Sequence, residues 1–407
     1  MNDNIKLFES KPDCCGCEAC RNACPKNAIV MREDEEGFIY PEINSEICIG
    51  CGICKKVCGY KKSDGVVPRK VFASSSKDGR ILSGTASGGI FSVIAYDVLR
   101  RNGVVFGSAE VRTKNRLIAR HIMVDNADDL HKLQGSKYVQ SYIGDTYTEA
   151  KKYLEKGRTV LFSGTPCQIA GLNAFLGKKY DNLLTVDIIC HGVPNAKMFN
   201  DFIHGYERKN NVTVTDFRFR DKSRGQGMTN RIEYTDSGRK KNHRIMCGEL
   251  NSYMGLFLKS LIYRENCYSC PFARNERVAD ITLGDYWGVY AEHSKELSRV
   301  PMDNSKGISC VLLNTDKGIK AFGRIRHDVF IIKSSLEKVE RHNEQLSRPS
   351  SLPDNRRKVM EIYRCSGYAG VEEYYRKLIG WKKYAYMVRF ALPKSLKRTL
   401  QILISGK

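Results

Sequence analysis

Two short cysteine runs decide how the first part of the chain folds: CCGCEACRNACP at 14–25 and CIGCGICKKVCG at 48–59. Each run contains three cysteines separated by two residues and a fourth cysteine after three more. The cysteines at these positions are Cys14, Cys17, Cys20 and Cys24 in the first run, and Cys48, Cys51, Cys54 and Cys58 in the second. The stretch between the runs, AIVMREDEEGFIYPEI (28–43), is typical of a strand, an acidic turn and a second strand. The two runs are therefore copies of one unit joined by a hairpin.

The spacing matches that of bacterial ferredoxins, in which two such runs hold two 4Fe–4S clusters. The two-residue gaps let a tight loop direct three thiolates to three corners of a cube, and the fourth cysteine serves the other cluster. We expect Cys14, Cys17, Cys20 and Cys58 to bind one cluster, and Cys48, Cys51, Cys54 and Cys24 to bind the other. Zinc is the competing interpretation, but zinc sites usually take two CxxC pairs and not CxxCxxC triplets.

Two details depart from the simple ferredoxin pattern. Gly59 stands where the pattern has proline, which affects the loop but not the number of ligands. Cys15 is a spare cysteine, and we expect a bystander thiol and not a ligand. Because clusters move electrons one at a time, the rest of the chain should contain whatever uses those electrons.

The composition describes a cytoplasmic, globular protein of two or three domains. The 407 residues are 42% hydrophobic and 28% charged, and neither a membrane span nor a signal peptide is evident. Sixteen cysteines in the reducing cytoplasm indicate metal binding or catalysis and not disulfides. Residues 1–60 carry 7 basic and 10 acidic side chains, so the net charge of +22 comes from the remainder. A basic body suits anionic cofactors or an acidic partner, and no nucleic-acid motif is present.

The remaining sequence predicts an α/β domain. Apolar strand-like runs alternate with helical stretches from about 71 to 330, and the chain then becomes charged and helical. We predict a mixed α+β and α/β fold with a dicluster ferredoxin domain at 1–60, a linker at 61–71, an oxidoreductase domain at 72–330 and a basic helical extension at 331–407. The oxidoreductase domain is divided into parts at 72–150 and 151–330.

A second group of cysteines raises the question of a third metal site. The CxxC pair Cys267 and Cys270 lies far from the first eight cysteines, and Cys167 and Cys190 follow two predicted strands. Strand ends in α/β sheets gather ligands, so these four thiols could share one site. The spacing leaves iron–sulfur and zinc equally open, and a single cysteine at a strand end is more often a small buried side chain. We interpret Cys247, Cys310 and Cys365 in that way.

Six motifs, in order, resemble the family of coenzyme F420 hydrogenase/dehydrogenase beta subunits, which also includes ferredoxin-linked flavin reductases. They are SGGIFSVIAYDVL (87–99), GSKYVQS (135–141), GTPCQIAGL (164–172), DIICHGVP (187–194), CYSCPFARNERVADITLGDYWG (267–288) and KGISCVLLNTDKG (306–318). The resemblance covers about 72–330. It implies a domain that binds FAD and one 4Fe–4S cluster, with Cys167, Cys190, Cys267 and Cys270 as the ligands, so that the chain holds three clusters in all.

The same motifs suggest where FAD binds. Gly88 and Gly89 open a helix whose N-terminus suits phosphate, and Lys137 offers a cation, although a solvated lysine is the plainer interpretation. Trp287 is as readily a core residue as a cofactor contact. The expected FAD contacts are Ser87, Gly88, Gly89, Gly135, Ser136, Lys137, Tyr138, Gly164, Thr165, Pro166, Asp280, Gly284 and Asp285.

Two basic stretches remain. In DFRFRDKSRGQG (216–227) the residues Arg218, Arg220, Lys222 and Arg224 alternate, so on a strand they would share one face suited to a phosphate or carboxylate, or would form a solvated edge. The C-terminal stretch 374–407 interleaves basic, aromatic and aliphatic residues around Pro393. Packing on the parent domain is the default for this stretch, and peripheral contact with a membrane or a partner is the alternative.

We therefore expect an iron–sulfur flavoprotein oxidoreductase. It would pass electrons from a ferredoxin or similar carrier to FAD and on to coenzyme F420 or another small acceptor. The alternative is an electron-transfer subunit of a hydrogenase or dehydrogenase complex that selects no substrate itself. A zinc-stabilised structural or nucleic-acid-binding protein is a third hypothesis, which predicts a colourless protein. No catalytic side chain can be named from the sequence.

Overall fold

A computed structural model describes residues 6–60, 64–114 and 116–392 of the chain. Pro393 lies outside these residues, so the predicted helix interruption there is not described. The thirteen strands are β1 Ile29–Glu33, β2 Ile39–Ile43, β3 Lys70–Ser76, β4 Val104–Arg112, β5 Leu117–Val124, β6 Val160–Gly164, β7 Leu183–Ile188, β8 Val212–Arg218, β9 Thr229–Asp236, β10 Lys241–Cys247, β11 Ile281–Asp285, β12 Ser309–Leu313 and β13 Val329–Ser334.

Helices are distributed along the whole described chain. They are α1 Ala19–Asn22, α2 Ile53–Lys56, α3 Gly79–Gly84, α4 Ile90–Arg100, α5 Thr146–Glu155, α6 Pro166–Leu176, α7 Ala196–Asn210, α8 Ser252–Leu258, α9 Val289–Leu297, α10 Asp316–Arg324, α11 Leu336–Glu340, α12 Arg356–Ile379 and α13 Lys382–Ala391.

The N-terminal part, which we call the ferredoxin module (residues 6–60), contains the predicted hairpin. Strands β1 and β2 pair antiparallel, with Ile29 opposite Ile43 and Glu33 opposite Ile39. Asp34 accepts the backbone N–H groups of Glu36 and Phe38 and so shapes the turn. The two cysteine runs flank this hairpin and each contains one short helix, α1 or α2. The strand–turn–strand prediction is confirmed.

An eight-stranded sheet forms the centre of the body, in the order β13-β3-β12-β11-β7-β6-β4-β5. Strands β4, β6, β7 and β11 run parallel to one another, whereas the other four pair antiparallel with their neighbours. The mixed α/β architecture with an N-terminal ferredoxin-like module is therefore confirmed. Buried clusters lie on both faces of the sheet. Central runs such as VLF at 160–162 therefore bury every side chain.

The sheet extends beyond the domain boundaries predicted from composition. Strand β3 begins at Lys70, inside the predicted linker, and β13 continues to Ser334, beyond the boundary at 330. Even within the linker, Val66 exchanges backbone hydrogen bonds with Arg277. The predicted boundaries fall next to exposed lysines, Lys70 at the start of β3 and Lys333 in the edge strand β13, and the division into domains remains a prediction.

Helix α6 occupies the position that matters most for the site. Its start is fixed by a capping box between Thr165 and Gln168, with Pro166 at the first helical position. The helix follows β6 directly and packs against β6 and β7 with Ile169 and Leu172 fully buried. Its first turn therefore lies at the carboxyl end of the parallel strands, where α/β folds bind ligands.

A second, smaller layer was not anticipated from the sequence. Strands β10, β9 and β8 form a three-stranded antiparallel sheet, and helices α7, α8 and α12 pack with it around an aromatic core. Within that core Phe199 contacts Phe217, Phe219 and Tyr253 with ring centroids 5.2–5.5 Å apart. Such aromatic packing adds about 0.5–1.5 kcal/mol per pair beyond the buried area.

The C-terminal helices divide into a packed part and an exposed part. Helix α12 buries Val371 and Tyr375 against the aromatic core, as the packing expectation requires. Helix α13 buries no residue, although Arg389 contacts Glu249 and Arg224 donates to the Phe390 carbonyl oxygen at 2.6 Å. Among the described residues no helix is long and apolar enough to cross a bilayer.

Candidate iron-sulfur and cofactor site

The first cysteine set surrounds a cavity on the inner side of the ferredoxin module, which we call the proximal site. Its thiols are those of Cys14, Cys17, Cys20 and Cys58. The grouping takes three cysteines from the first run and one from the second, as the ferredoxin spacing predicts. Cys15 and Cys54 also line this cavity.

The second set surrounds a cavity at the outer end of the module, which we call the distal site. It is lined by Cys48, Cys51 and Cys54 together with Cys24 from the first run. Cys51 is exposed to solvent, and the apolar residues Ile49 and Ile53 beside it are exposed as well. The fourth cysteine of each run thus lies with the other set, and the assignment of these eight thiols as ligands remains a prediction.

The third set comes together from three distant segments, in what we call the body site. Cys167 opens helix α6, Cys190 follows strand β7, and Cys267 and Cys270 lie on the turn at 265–270. All four thiols line one cavity, and Cys15 of the ferredoxin module lines it with them. Four thiols around one cavity fit a cubane, so Cys167 and Cys190 remain the predicted partners of the CxxC pair. No three His, Cys, Asp or Glu side chains in the described ranges converge as they would around a single ion.

Burial governs the proton affinity of these thiols. It raises the pKa of Cys267 to about 12 and that of Cys270 to about 11, because a thiolate loses its hydration inside the protein. In contrast, hydrogen bonds from the Cys15 thiol and the Thr165 hydroxyl lower the pKa of Cys167. Iron binding requires thiolates, so filling this site would release protons and would stabilise charge that burial otherwise opposes.

A buried arginine holds the CxxC turn against the sheet. Arg277 donates to the carbonyl oxygens of Phe272 at 3.1 Å and Ile188 at 3.2 Å, and it pairs with Asp187 at 3.2 Å. These bonds tie the segment after Cys270 to the end of strand β7, just before Cys190. The sequence motif contained Arg277, but its role was not recognised because a charged residue is rarely expected to be fully buried.

A large cleft adjoins the body site at the carboxyl ends of β6, β7 and β11. Its volume is about 310 Å³, at the lower end of the ~300–1,000 Å³ of ordinary small-molecule sites, and it opens to solvent. Cys167 and Cys190 line the cleft as well as the cysteine cavity. A ligand in the cleft would therefore lie beside the third set of thiols.

Most of the expected FAD residues line this cleft. They are Ser87, Gly89, Gly135, Ser136, Lys137, Tyr138, Gly164, Thr165, Gly284 and Asp285. Gly89 adopts a left-handed conformation at φ 79° and forms the N-cap of α4, so the first N–H groups of that helix face the cleft region. Their role in binding FAD remains a prediction.

The other three expected FAD residues lie outside the cleft lining. Gly88 packs inside the sheet, where a Cβ would lie 2.8 Å from the Ser309 nitrogen, so packing explains its lack of a side chain. Pro166 lines the cysteine cavity. Asp280 lies at the start of β11, the opposite end from Asp285, and accepts hydrogen bonds from Thr185 and Thr315.

Lys137 is enclosed and not a solvated surface lysine. Its Nζ donates to the Gln134 carbonyl oxygen at 2.7 Å, and burial lowers its pKa to about 8 against the opposing charges of Glu110 and Asp216. The negative charges of Glu110 and Asp216 favour the protonated form of Lys137, and a cation beside the cleft can attract an anionic ligand group.

The expected common face of four basic residues does not exist. Strand β8 ends at Arg218, so the alternation applies to no continuous strand. Arg218 and Arg224 are exposed, whereas Arg220 is buried and donates to Asp285 at 2.8 Å and to the Tyr138 hydroxyl at 3.1 Å. Lys222 donates to the Ser87 carbonyl oxygen at 2.6 Å. Only Arg220 and Lys222 therefore point towards residues of the cleft.

Several site residues were missed in the sequence. His121 on β5 lines the cleft, fully buried, with its ring nitrogens 2.9 Å from the Ser141 hydroxyl and the Ser163 carbonyl oxygen. Burial lowers its pKa to about 4, so the ring is neutral. No local pattern marks it, because it is one of two adjacent polar residues, with Arg120, in an otherwise apolar strand. The remaining cysteines differ: Cys247 and Cys310 are buried as expected, but Cys365 is exposed.

Comparison with known proteins supports the resemblance. Residues 157–338 match the model for the C terminus of the coenzyme F420 hydrogenase/dehydrogenase beta subunit, and residues 13–62 match a 4Fe-4S dicluster domain. The F subunit of the F420H2 dehydrogenase of Methanosarcina mazei is 22% identical over 337 residues, covering 79% of this chain and 84% of that protein. The ferredoxin-type protein NapF of Escherichia coli K12 is 38% identical over 42 residues, or 10% of this chain and 26% of that protein.

Among solved structures, a chain of the F420-reducing [NiFe] hydrogenase complex of Methanosarcina barkeri aligns with 79% of this chain and 97% of its own length. The TM-score is 0.42 and the sequence identity is 16%, so this alignment carries no argument of its own. The two family models cover the cysteine sets described above. Residues 157–338 are thus similar to the C terminus of coenzyme F420 hydrogenase/dehydrogenase beta subunits, and in this chain they follow a region that matches a 4Fe-4S dicluster domain.

Proposed function

We propose that the chain is an iron–sulfur flavoprotein oxidoreductase. It would take electrons from a ferredoxin-type carrier and pass them to FAD and on to coenzyme F420 or another small organic acceptor. The observation that carries this proposal is the shared wall of the cysteine cavity and the large cleft, formed by Cys167 and Cys190. When bound, 4Fe–4S clusters supply one-electron transfer and FAD supplies hydride chemistry.

The chain's own residues would hold and orient these groups. The three cysteine sets would each bind one cluster, and the α4 N-terminus beyond Gly89 suits the pyrophosphate of FAD. Lys137 would offer the cleft a cation that suits an anionic ligand group, whereas the charges of the pair Arg220–Asp285 cancel and that pair would fix the position of the Asp285 side chain. The neutral ring of His121 is fixed by two hydrogen bonds and would present an uncharged surface to the cofactor.

The direct test is anaerobic purification followed by quantification of iron and flavin. We expect about twelve irons from three cubanes and about one FAD per chain. The variant Cys190→Ser should retain about eight irons, because only the body site loses a ligand. Cys365→Ser is the matched control, since Cys365 is exposed and lines none of the cysteine cavities, and it should retain the full iron content. About eight irons and no flavin in the unmodified chain would leave only the ferredoxin module explained.

The second candidate is an electron-transfer subunit without its own substrate. The relative from Methanosarcina mazei is named as one subunit of a dehydrogenase, and it matches most of this chain. An assay of the isolated chain with dithionite or reduced ferredoxin as electron donor distinguishes the two proposed functions. Turnover of F420 or another acceptor supports the enzyme, whereas reduction of the bound cofactors without turnover supports the subunit.

We also propose that helix α13 contacts an anionic membrane surface. Trp381, Tyr384, Met387 and Val388 expose more than half of their surface, and no Asp or Glu follows Glu373. Basic residues surround these apolar side chains: Lys377, Lys382, Lys383 and Arg389. Exposed aromatic and aliphatic side chains amid lysine and arginine are typical of helices that lie in the interface of anionic bilayers.

Vesicle binding tests this contact. The chain should sediment with vesicles that contain phosphatidylglycerol, and much less with phosphatidylcholine alone or at high salt. In a Trp287→Phe background Trp381 is the only tryptophan, so its emission should shift to the blue on binding. Val388→Asp should weaken binding, and absence of binding to either vesicle would assign the exposed face to a protein partner or to the following residues.

A further inference from the structure

The proximal site and the body site are separated by a single layer of side chains. That layer is one buried apolar cluster formed by Cys15, Tyr60, Ala170 and Phe272. Cys17 and Cys58 of the proximal site pack on it, and so do Cys167 and Cys270 of the body site. Tyr60 and Phe272 meet edge to face with ring centroids 6.0 Å apart, which closes the layer to water.

Cys15 lies between the proximal site and the body site and contacts both. Its side chain packs against Cys17 and Cys167, one from each proposed ligand set, and its single thiol hydrogen can be donated to either sulfur. The residue is only 6% exposed, and it lines the proximal cavity, the body cavity and the cleft. The spare cysteine of the first run is therefore central to the contact between the two sites.

Two glycines allow the ferredoxin module to come this close to helix α6. A Cβ on Gly59 would lie 2.7 Å from the Ala170 carbonyl carbon and 3.2 Å from the Ala174 side chain. A Cβ on Gly171 would lie 2.9 Å from the Cys17 Sγ. The obstacle at Gly59 is backbone inside a helix, which cannot move aside. Glycine replaces the proline of the ferredoxin pattern here because a side chain would collide with the backbone of helix α6, and not because of the loop conformation.

Hydrogen bonds fix the module in this position. The Glu18 carboxylate accepts the backbone N–H groups of Ile143 at 2.8 Å and Gly144 at 3.2 Å. Arg264, fully buried, donates to the carbonyl oxygens of Cys14 and Ile39, each at 2.9 Å. These contacts join residues more than a hundred positions apart. The ferredoxin module is therefore held against the body by direct hydrogen bonds and not by the linker alone.

We infer that Cys15, Gly59 and helix α6 form a fixed electron junction between the proximal site and the body site. This inference rests on the proposed function, which supplies the two clusters. The thiols of the proximal site and of the body site would each hold one cluster, and the bound clusters would supply one-electron transfer, in which the first is oxidised as the second is reduced. Gly59 sets the distance between the proximal site and the body site, and Cys15 fills the space between them. Both therefore act as positioning residues.

The first test is Gly59→Ala, which adds one methyl group and retains the backbone N–H. We expect an unchanged iron content, because no ligand is altered, and a weaker magnetic interaction between reduced clusters in electron paramagnetic resonance spectra. Electron transfer into the flavin should slow by about tenfold, since small displacements are costly for positioned reactions. Gly205→Ala on α7 is the matched control, because a Cβ there meets nothing within 4 Å.

Cys15→Ala is the second test and introduces no clash. We expect full iron content with a lower reduction potential at the proximal or body cluster, because hydrogen bonds to ligand sulfurs help to set the potential. Cys15→Ser should restore part of the shift. Wild-type magnetic interaction and transfer rate in Gly59→Ala, or unshifted potentials in Cys15→Ala, would overturn the junction. A wild-type iron content below about twelve would instead contradict the proposed function.

Discussion

The proximal and distal sites share one cysteine spacing but have opposite surroundings. The proximal site is covered by the body of the protein, and burial raises the pKa of Cys14 to about 11. The distal site leaves Cys51 exposed beside Ile47 and Ile49. The local motif therefore determines which thiols gather, whereas tertiary packing determines whether a site faces the interior or an incoming partner. The following predictions test that contrast.

The largest expected effect concerns Arg264, which stabilises only the proximal side. Arg264→Met removes hydrogen bonds to two buried carbonyl oxygens and a cation–π contact with Tyr40, whose ring centroid is 3.9 Å away. We expect a loss of about 3 kcal/mol in the free energy of unfolding. Anaerobic denaturant titration, followed by cluster absorbance, measures it.

Arg32→Ala is the control, since Arg32 forms an exposed pair with Glu42 on the hairpin and should cost less than about 0.5 kcal/mol. Equal losses in the two variants would show that docking does not depend on Arg264.

The next effect concerns the order of iron loss. On exposure to air or a chelator, the distal cluster should be lost first, because oxidants and chelators reach exposed Cys51 before the buried thiols. We expect a first phase that removes about four irons, followed by a slower phase. Cys51→Ser should begin near eight irons and lack the fast phase. A single phase for all the iron would show that exposure does not distinguish the two sites.

A smaller effect is expected at the surface around the distal site. Ile49→Lys places a charge at a residue that is 57% exposed, beside the proposed entry point for electrons. We expect the rate of reduction to depend about fivefold less steeply on the concentration of reduced ferredoxin, with iron content and stability unchanged. Val67→Lys is the matched control, because Val67 is equally exposed but lies near β3. The same change in both variants would argue against docking at the distal site.

The smallest effect is expected from Tyr60→Phe. The Tyr60 hydroxyl donates to the Asn266 carbonyl oxygen at 3.4 Å, which is a long hydrogen bond. Its removal should cost less than about 1 kcal/mol, because the ring still packs on Phe272. Thermal unfolding measures this change, and a loss as large as that of Arg264→Met would mean that the hydroxyl has a further role.

The predictable features were those encoded locally. The cysteine spacing predicted which thiols gather at the proximal and distal sites, because each run brings three thiols together locally and the hairpin between the runs brings in the fourth. The alternation of apolar runs predicted the α/β body, and the motifs of Cys167, Cys190 and the CxxC pair indicated a common site. Each of these inferences depended on short stretches or on a recognised order of motifs.

The unpredictable features depend on contacts between distant segments. Asp280 looked like a cleft residue, yet it precedes the five-residue strand β11 and so lies at the end of that strand opposite to Asp285 and the cleft. The run from Arg218 to Arg224 looked like one face, but the strand ends at its first arginine. Cys15 and Gly59 looked incidental because their neighbours belong to helix α6, more than a hundred residues away.

Helix α6 sets the distance between the body site and the ferredoxin module. Cys167 and Gly171 are four residues apart, so they lie on the same side of the helix with about 6 Å between them along its axis. A single inserted residue would turn one end by about 100° relative to the other and lengthen the span by ~1.5 Å. The residue count of one helix thus sets the distance between the two proposed cluster sites, and an insertion tolerated elsewhere would disrupt the proposed electron path here.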